Sequence, residues 1–170
     1  RRRLSPVLRL FVQFFVSFIV VLGGIKIQLL NNPFGSAIFL DRISFEIFGE
    51  HIWLFSSIVI IIWLMLMMNV MNWLDGISGL PSGMTAIGTL ILFFLSISPM
   101  VNQPEVAKLA IIIATIAFGF WLFDFYPPKI LIGDSGAMFF GLLLAALSIF
   151  SGGKIATAFL VLGFPILDAV

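Results

Sequence analysis

The sequence predicts an all-α fold: a polytopic bundle of about six membrane-spanning helices forming one domain over residues 1–170, with a small extracytoplasmic β-hairpin. Three observations predict it. Hydrophobic residues make up 61% of the chain and charged residues only 10%, too few to coat a water-facing surface; a soluble domain carries about 25% charged residues. Apolar runs close to the length needed to cross a bilayer recur along the chain, separated by short polar stretches. One longer connection, residues 28–50, breaks that pattern with turn residues flanked by strand formers.

The first predicted span covers residues 7–27, interrupted only by Gln13 and Ser17 before Lys26. Arg1-Arg2-Arg3 leads into it without a small-residue cleavage site after the apolar run, so it reads as a span and not as a signal peptide. The long connection follows, with Asn31-Asn32-Pro33-Phe34-Gly35-Ser36 as its turn cluster and strand character around Ile38-Phe39-Leu40 and over residues 43–48. Further spans are predicted at residues 52–68, 84–97, 107–123 and 137–150, the last of these short, and from Ile155 to the end. Trp53, Trp73 and Tyr126 stand near span ends, as interfacial aromatic residues do. Trp63, Trp121 and the methionines at 65, 67, 68 and 71 read as packing. Gly79 and Gly83 have the spacing of a close helix contact. The net charge of +1 gives no case for a nucleic-acid partner, and the absence of Cys excludes disulfide and thiolate chemistry.

Placing Arg1 to Arg3 and Arg9 in the cytoplasm sets the orientation by alternation. Lys129 then joins the inside set, while Lys26, Arg42, Lys108 and Lys154 fall outside. The acids divide more sharply. Asp41, Glu46, Glu50 and Glu105 fall in outside loops, and Asp75, Asp124, Asp134 and Asp168 fall at cytoplasmic helix ends. One Asp embedded in apolar sequence reads as a helix cap or turn residue. Four at one level favour a divalent-cation site, since Mg²⁺ takes oxygen ligands and phosphate partners.

Two stretches could carry chemistry. Asn69, Asn72 and Asp75 are spaced three apart and share one face if the helix continues through them, with Gly76 next in line. Gly133-Asp134-Ser135-Gly136 opens the fifth span after Pro127-Pro128 stop the fourth. An Asp there could hold a metal while helix N-terminal N–H groups receive phosphate oxygens. The plain alternative is capping by Asp134 or Ser135. A serine-protease reading of GDSG fails because the sole His, His51, is predicted on the other side of the membrane. The GxGD signature of intramembrane aspartyl proteases would need Gly where Leu131 stands.

Taken together these stretches resemble the polyprenyl-phosphate N-acetylhexosamine-1-phosphate transferases. The family pattern NxxNxxDGxxGLxxG is matched at Asn69, Asn72, Asp75, Gly76, Gly79, Leu80 and Gly83, and PAKIFMGDSGSMFLG is similar to Pro127 through Gly141. Asn31-Asn32-Pro33-Phe34-Gly35 looks like the extracytoplasmic hairpin of the GlcNAc branch, and Pro165-Ile166-Leu167-Asp168 resembles the P-x-x-D helix. Asp124 stands where relatives usually have Asn, Pro128 where Ala is common and Ala137 where Ser is usual. The family's DDxxD motif should lie just before a stretch like Arg3-Leu4-Ser5-Pro6, and its His-containing loop should follow Asp168, so the sequence reads as a central piece of a longer protein.

The resemblance implies transfer of a sugar-1-phosphate, GlcNAc-1-phosphate first, from a UDP-sugar to a polyprenyl phosphate with release of UMP. It implies Asp75 and Asp134 as catalytic residues and ligands of Mg²⁺, with Mn²⁺ as the alternative ion. Asn69, Asn72, Gly76 and Asp124 are the candidates for substrate contacts. The implied setting is the cell membrane, multi-pass, with the site facing the cytoplasm. The partners are the UDP-sugar, the polyprenyl phosphate and the bilayer, and a homodimer is compatible with it. Two alternatives stay open: a phospho-N-acetylmuramoyl-pentapeptide transferase, and a non-enzymatic ion-coupled transporter using the aspartates as its cation site.

Overall fold

The computed structural model describes residues 5–27, 29–30, 38–40, 44–47 and 50–151. The predicted sixth span, Asp168 and the turn cluster at residues 31–36 lie outside them. The chain divides into two compact units, Arg1–Leu66 and Met67–Val170.

In the first unit, α1 (Pro6–Leu22) starts where Ser5 accepts the amide of Leu8 at 3.2 Å and Pro6 supplies a pre-set helical φ. It ends at Leu22, five residues before the predicted end of the span, with Gly23 as its C-cap. At 17 residues it is shorter than the other apolar helices. Gln13, Ser17 and Val21, four apart, form its buried stripe, while Val7, Phe11, Phe15 and Ile19 are exposed. That is the distribution expected of a helix whose outer surface meets lipid, where apolar exposure costs nothing and polar groups turn inward. Downstream, the amide of Ile27 donates to Ser56 Oγ at 2.8 Å, a buried bond that ties this segment to the start of α2 (Leu54–Leu74).

The long connection forms two antiparallel strand pairs. β1 (Leu29–Leu30) pairs with β2 (Ile38–Phe39) in the register Leu29 with Phe39. β3 (Ser44–Ile47) pairs with β4 (Glu50–Trp53), Ser44 opposite Trp53 and Ile47 opposite Glu50. All other described secondary structure is α-helix, and four helices are long and apolar enough to cross a membrane.

Three of these, α3 (Leu80–Ile97), α4 (Pro104–Asp124) and α5 (Gly133–Phe150), lie in the second unit, and α2 reaches into it with its last turns. The fifth predicted span is longer than the sequence suggested, because the helix begins at Gly133 and takes in the whole Gly-Asp-Ser-Gly stretch. α2 continues past Met68 through Asn69 and Asn72 to Leu74. α3 and α4 pack as an antiparallel pair along matching faces. α3 offers buried Ser82, Thr85, Thr89 and Ser96; α4 offers buried Ala107, Ala110, Ala114 and Ala117. Small side chains let the two backbones approach. Within the helix Thr85 and Thr89 return their hydroxyls to the carbonyls of Pro81 and Thr85, both at 2.7 Å, so neither is left unpaired in an apolar setting.

At one end of this pair the glycine spacing takes effect. Gly79 has φ +80°, a left-handed conformation that a side chain resists, and a Cβ on it would stand 3.1 Å from Phe125 Cα. A Cβ on Gly83 would stand 3.0 Å from Trp121 Nε1. Trp121 packs in turn on Phe125, with ring centroids 4.9 Å apart.

Candidate functional site

The candidate site lies in the second unit, where α2 ends, α3 begins, α4 ends and α5 begins. α2 carries Asn69 and Asn72 on its last two turns, and Asp75 follows in the tight turn of residues 75–79. That turn is held by the amides of Gly76 and Ile77, bonded to the carbonyls of Trp73 and Leu74 at 3.3 and 3.1 Å. α4 ends at Asp124. The connection to α5 folds back on it, the amides of Lys129 and Ile130 donating to the carbonyl of Phe123 at 2.8 and 3.3 Å. Gly133, at φ +69°, then turns the chain into α5 and delivers Asp134 in its first turn.

The height of the two outer aspartates follows from one helix crossing. α5 meets α2 at Gly141, where a Cβ would come 2.5 Å from the carbonyl oxygen of Met67 and 2.9 Å from Met68 Cα. Asp134 lies seven residues up α5 from that crossing, and Asp75 lies eight residues beyond Met67. At a rise of 1.5 Å per residue, seven or eight residues of helix span about 10–12 Å, and the charge of Asp134 acting on Asp75 puts both on the same side of the crossing.

Electrostatics agrees with that placement. Asp75, outside the span and half-buried, is held above the usual carboxylate range, first by burial, then by the negative charges of Asp124 and Asp134. Of these neighbours Asp134 is exposed, whereas Asp124 is 1% exposed. Asp124 Oδ2 accepts the hydroxyl of Ser82, itself fully buried, at 2.8 Å. Asp75 is therefore within range of both other charges, and the three differ in access: Asp134 is exposed, Asp75 is half-buried, and Asp124 is turned into the α3–α4 packing.

The remaining sequence candidates flank the pair. Asn69 is half-buried and Gly76 exposed. Asn72 is half-buried, and its Oδ1 is enclosed without a hydrogen-bond partner. A buried carbonyl left unpaired costs about 1–3 kcal/mol. Such an orphan, three residues before Asp75, is what a donor group on a ligand would satisfy. At the start of α5 the N-cap position is Ile132, which makes no capping bond. Asp134 thus occupies the first turn rather than the cap.

Among the described residues, no three Asp, Glu, His or Cys side chains form a metal-ligand set by themselves. A Mg²⁺ ion does not need one, since it is commonly held by one or two carboxylates and completes its shell with waters and substrate phosphates. Two accessible carboxylates, a third negative charge behind them and an unpaired carbonyl fit that arrangement. Sequence reasoning missed Ser82. The only signal for it was a hydroxyl three residues after Gly79 in an otherwise apolar helix start.

Comparison with known proteins bears on the same stretches. Residues 1–152 match the family model described as glycosyl transferase family 4. A Bacillus subtilis protein named as a probable undecaprenyl-phosphate N-acetylglucosaminyl 1-phosphate transferase is 26% identical over 98% of this chain and 44% of its own length. A phospho-N-acetylmuramoyl-pentapeptide-transferase of Streptococcus mutans is 31% identical over 76% of this chain and 37% of its own. A decaprenyl-phosphate N-acetylglucosaminephosphotransferase of Mycobacterium tuberculosis is 34% identical over 52% and 23% respectively. The chain spans less than half the length of these relatives. With a family match that runs through all five described helices and both motif stretches, the chain belongs to glycosyl transferase family 4.

Proposed function

We propose that the protein containing this chain transfers N-acetylglucosamine-1-phosphate from UDP-GlcNAc to a polyprenyl phosphate in the cytoplasmic membrane, releasing UMP on the cytoplasmic side for cell-envelope polysaccharide synthesis. The observation that carries the reading is the placement of Asp75 and Asp134, within range of each other's charge, at one end of membrane-length apolar helices. A water-soluble nucleotide and a lipid-borne phosphate can meet only at such a level. An ion-coupled transporter would instead favour ionisable groups near the bilayer midplane. GlcNAc is favoured over the phospho-MurNAc-pentapeptide by the names of the Bacillus and Mycobacterium relatives.

In this reading an oxygen of the polyprenyl phosphate attacks the β-phosphorus of the UDP-sugar. The bond from that phosphorus to the bridging oxygen breaks, and UMP leaves with the electron pair. The acceptor's second pKa is near 6, so its attacking oxygen is already largely ionised at neutral pH and no strong general base is required. Asp75 and Asp134 would hold Mg²⁺ or Mn²⁺, which when bound neutralises the pyrophosphate charge. Asn72 would receive a donor from the nucleotide sugar, with Asn69 and Gly76 beside it orienting the phosphates.

The test is UMP release by the full-length protein in lipid nanodiscs, with undecaprenyl phosphate as acceptor. UDP-GlcNAc is expected to support turnover in Mg²⁺ and not in EDTA, and UDP-MurNAc-pentapeptide is expected to give none. Turnover with the pentapeptide donor alone would transfer the assignment to the other branch of the family. No UMP from either donor would remove the transferase reading.

A further inference from the structure

The end of α4 is the point to which both carboxylate-bearing turns are attached. On one side, Gly79, four residues after Asp75, lies so close to Phe125 that a Cβ would stand 3.1 Å from its Cα. One turn further, Ser82 donates to Asp124 Oδ2 at 2.8 Å, with the carbonyl of Gly79 more distant at 3.3 Å. On the other side, the carbonyl of Phe123 holds the amides of Lys129 and Ile130, and with them the connection that leads to Asp134. Asp124 sits between the two attachments. It is too deeply buried to be offered to a soluble ligand, and a buried carboxylate is costly unless donors face it. Ser82 supplies such a donor from within the α3–α4 contact, so the bond and the helix pairing reinforce one another.

We propose that Asp124 and Ser82 are a positioning pair, whose hydrogen bond locks the end of α4 to the start of α3 and so fixes the separation of Asp75 and Asp134. This rests on the reading above, in which those two carboxylates share one cation, and it gives Asp124 a role without substrate contact. Displacement of a reacting geometry by about 1 Å can cost about 100-fold in rate, so a bond that sets the register of two ligand turns matters without touching the ligand.

The test uses the full-length protein in nanodiscs, with any native thiols elsewhere removed; this stretch has no Cys. Ile77→Cys and Ser135→Cys, both at exposed positions flanking the carboxylates, carry spin labels whose dipolar coupling reports the separation of the two turns. A single narrow distance distribution is expected. Asp124→Asn should retain it, because its amide carbonyl still accepts from Ser82. Ser82→Ala and Asp124→Ala should broaden or shift it. In parallel, without labels, Ser82→Ala should raise the Mg²⁺ concentration for half-maximal UMP release about tenfold, in keeping with loss of a hydrogen bond to a charged group. Its kcat at saturating Mg²⁺ should stay within about threefold.

An unchanged distance distribution in Ser82→Ala overturns the pair. So does an equal disturbance by Asp124→Asn and Asp124→Ala. Should Asp124→Ala fail to fold, Ser82→Ala decides alone. If the unaltered protein releases no UMP at any Mg²⁺ concentration, the transferase reading falls, while the label distances still decide whether the bond positions the turns.

Discussion

The carbonyl oxygen of Met67 occupies the space a side chain at residue 141 would need: a Cβ on Gly141 would stand only 2.5 Å from it. Backbone meets backbone at that crossing of α2 and α5, and neither side has a rotamer to yield. The contrast is Gly83, whose added Cβ would meet the indole of Trp121 at 3.0 Å, the end of a side chain that can turn.

The two glycines should therefore respond differently to the same substitution. Gly141→Ala forces the helices apart at the crossing that sets the height of Asp75 and Asp134. Overpacking of this kind costs about 1–3 kcal/mol, and a shift at the site should lower UMP release by about tenfold or more. Gly83→Ala should cost less in both respects. Thermal unfolding in detergent and UMP release, measured side by side, check the order; equal effects would mean that the α2–α5 crossing does not set the site.

Asp75 gives a prediction with a sign. Its carboxyl is held above the ordinary value of 3.8, first by burial and then by the charges of Asp124 and Asp134, so the folded chain binds that proton more tightly than the unfolded chain does. As pH falls through the raised folded value toward 3.8, the folded state gains stability from this group; at neutral pH it carries the cost of an ionised carboxylate facing two others. In metal-free buffer at pH 7, Asp75→Asn should be slightly more stable than wild type, by about 1 kcal/mol or less, because half-exposure screens the repulsion. The difference should close on acidification below the ordinary carboxyl value. Added Mg²⁺ should raise the melting temperature of wild type more than that of Asp75→Asn. Thermal scans at two pH values, with and without Mg²⁺, check all three.

Asn72 separates stability from binding. Its unpaired, enclosed Oδ1 contributes nothing to the folded state, so Asn72→Leu, of similar size, should unfold at the same temperature or higher. The KM for UDP-GlcNAc should rise about tenfold, the loss of roughly one hydrogen bond worth 1.4 kcal/mol. A destabilised variant with an unchanged KM would show that Asn72 is paired within the protein instead.

Much of this was legible in the chain because a membrane imposes few solutions. Apolar runs near spanning length must become helices, and four of the predicted runs are membrane-length helices in the structure. Their ends were less legible. Asn69 and Asn72 look like residues that stop a helix, yet α2 runs on to Leu74; in the second unit Met67, Met68, Val70, Met71 and Leu74, before, between and after them, are buried, and packing overrides their weak propensity. The fifth span began four residues early because Gly133 at positive φ starts the helix before Ala137, where apolar character resumes. Ser82 was not legible as a partner of Asp124. The two lie 42 residues apart, and only the α3–α4 pairing brings them together.

Asp134 offers the sharpest separation of a chemical role from a structural one. It stands in the first turn of α5, is exposed, and adds its negative charge to the field on Asp75. The N-cap position belongs to Ile132, so Asp134 is not the N-cap residue. A ligand of Mg²⁺ needs the charge as well as the shape. In the full-length protein Asp134→Asn should therefore unfold at close to the wild-type temperature, since charge near a helix N-terminus is worth only about 0.3–1 kcal/mol. Mg²⁺-dependent UMP release should fall by about 100-fold or more, the equivalent of at least 2.7 kcal/mol of lost transition-state stabilisation. A purely structural residue would behave in the opposite way: Asn serves as well as Asp near a helix start, and turnover would hold. UMP release measured against Mg²⁺ concentration, at matched expression, decides between them. Near-normal turnover with an unaltered Mg²⁺ dependence would remove Asp134 from the mechanism and leave Asp75 to find another partner.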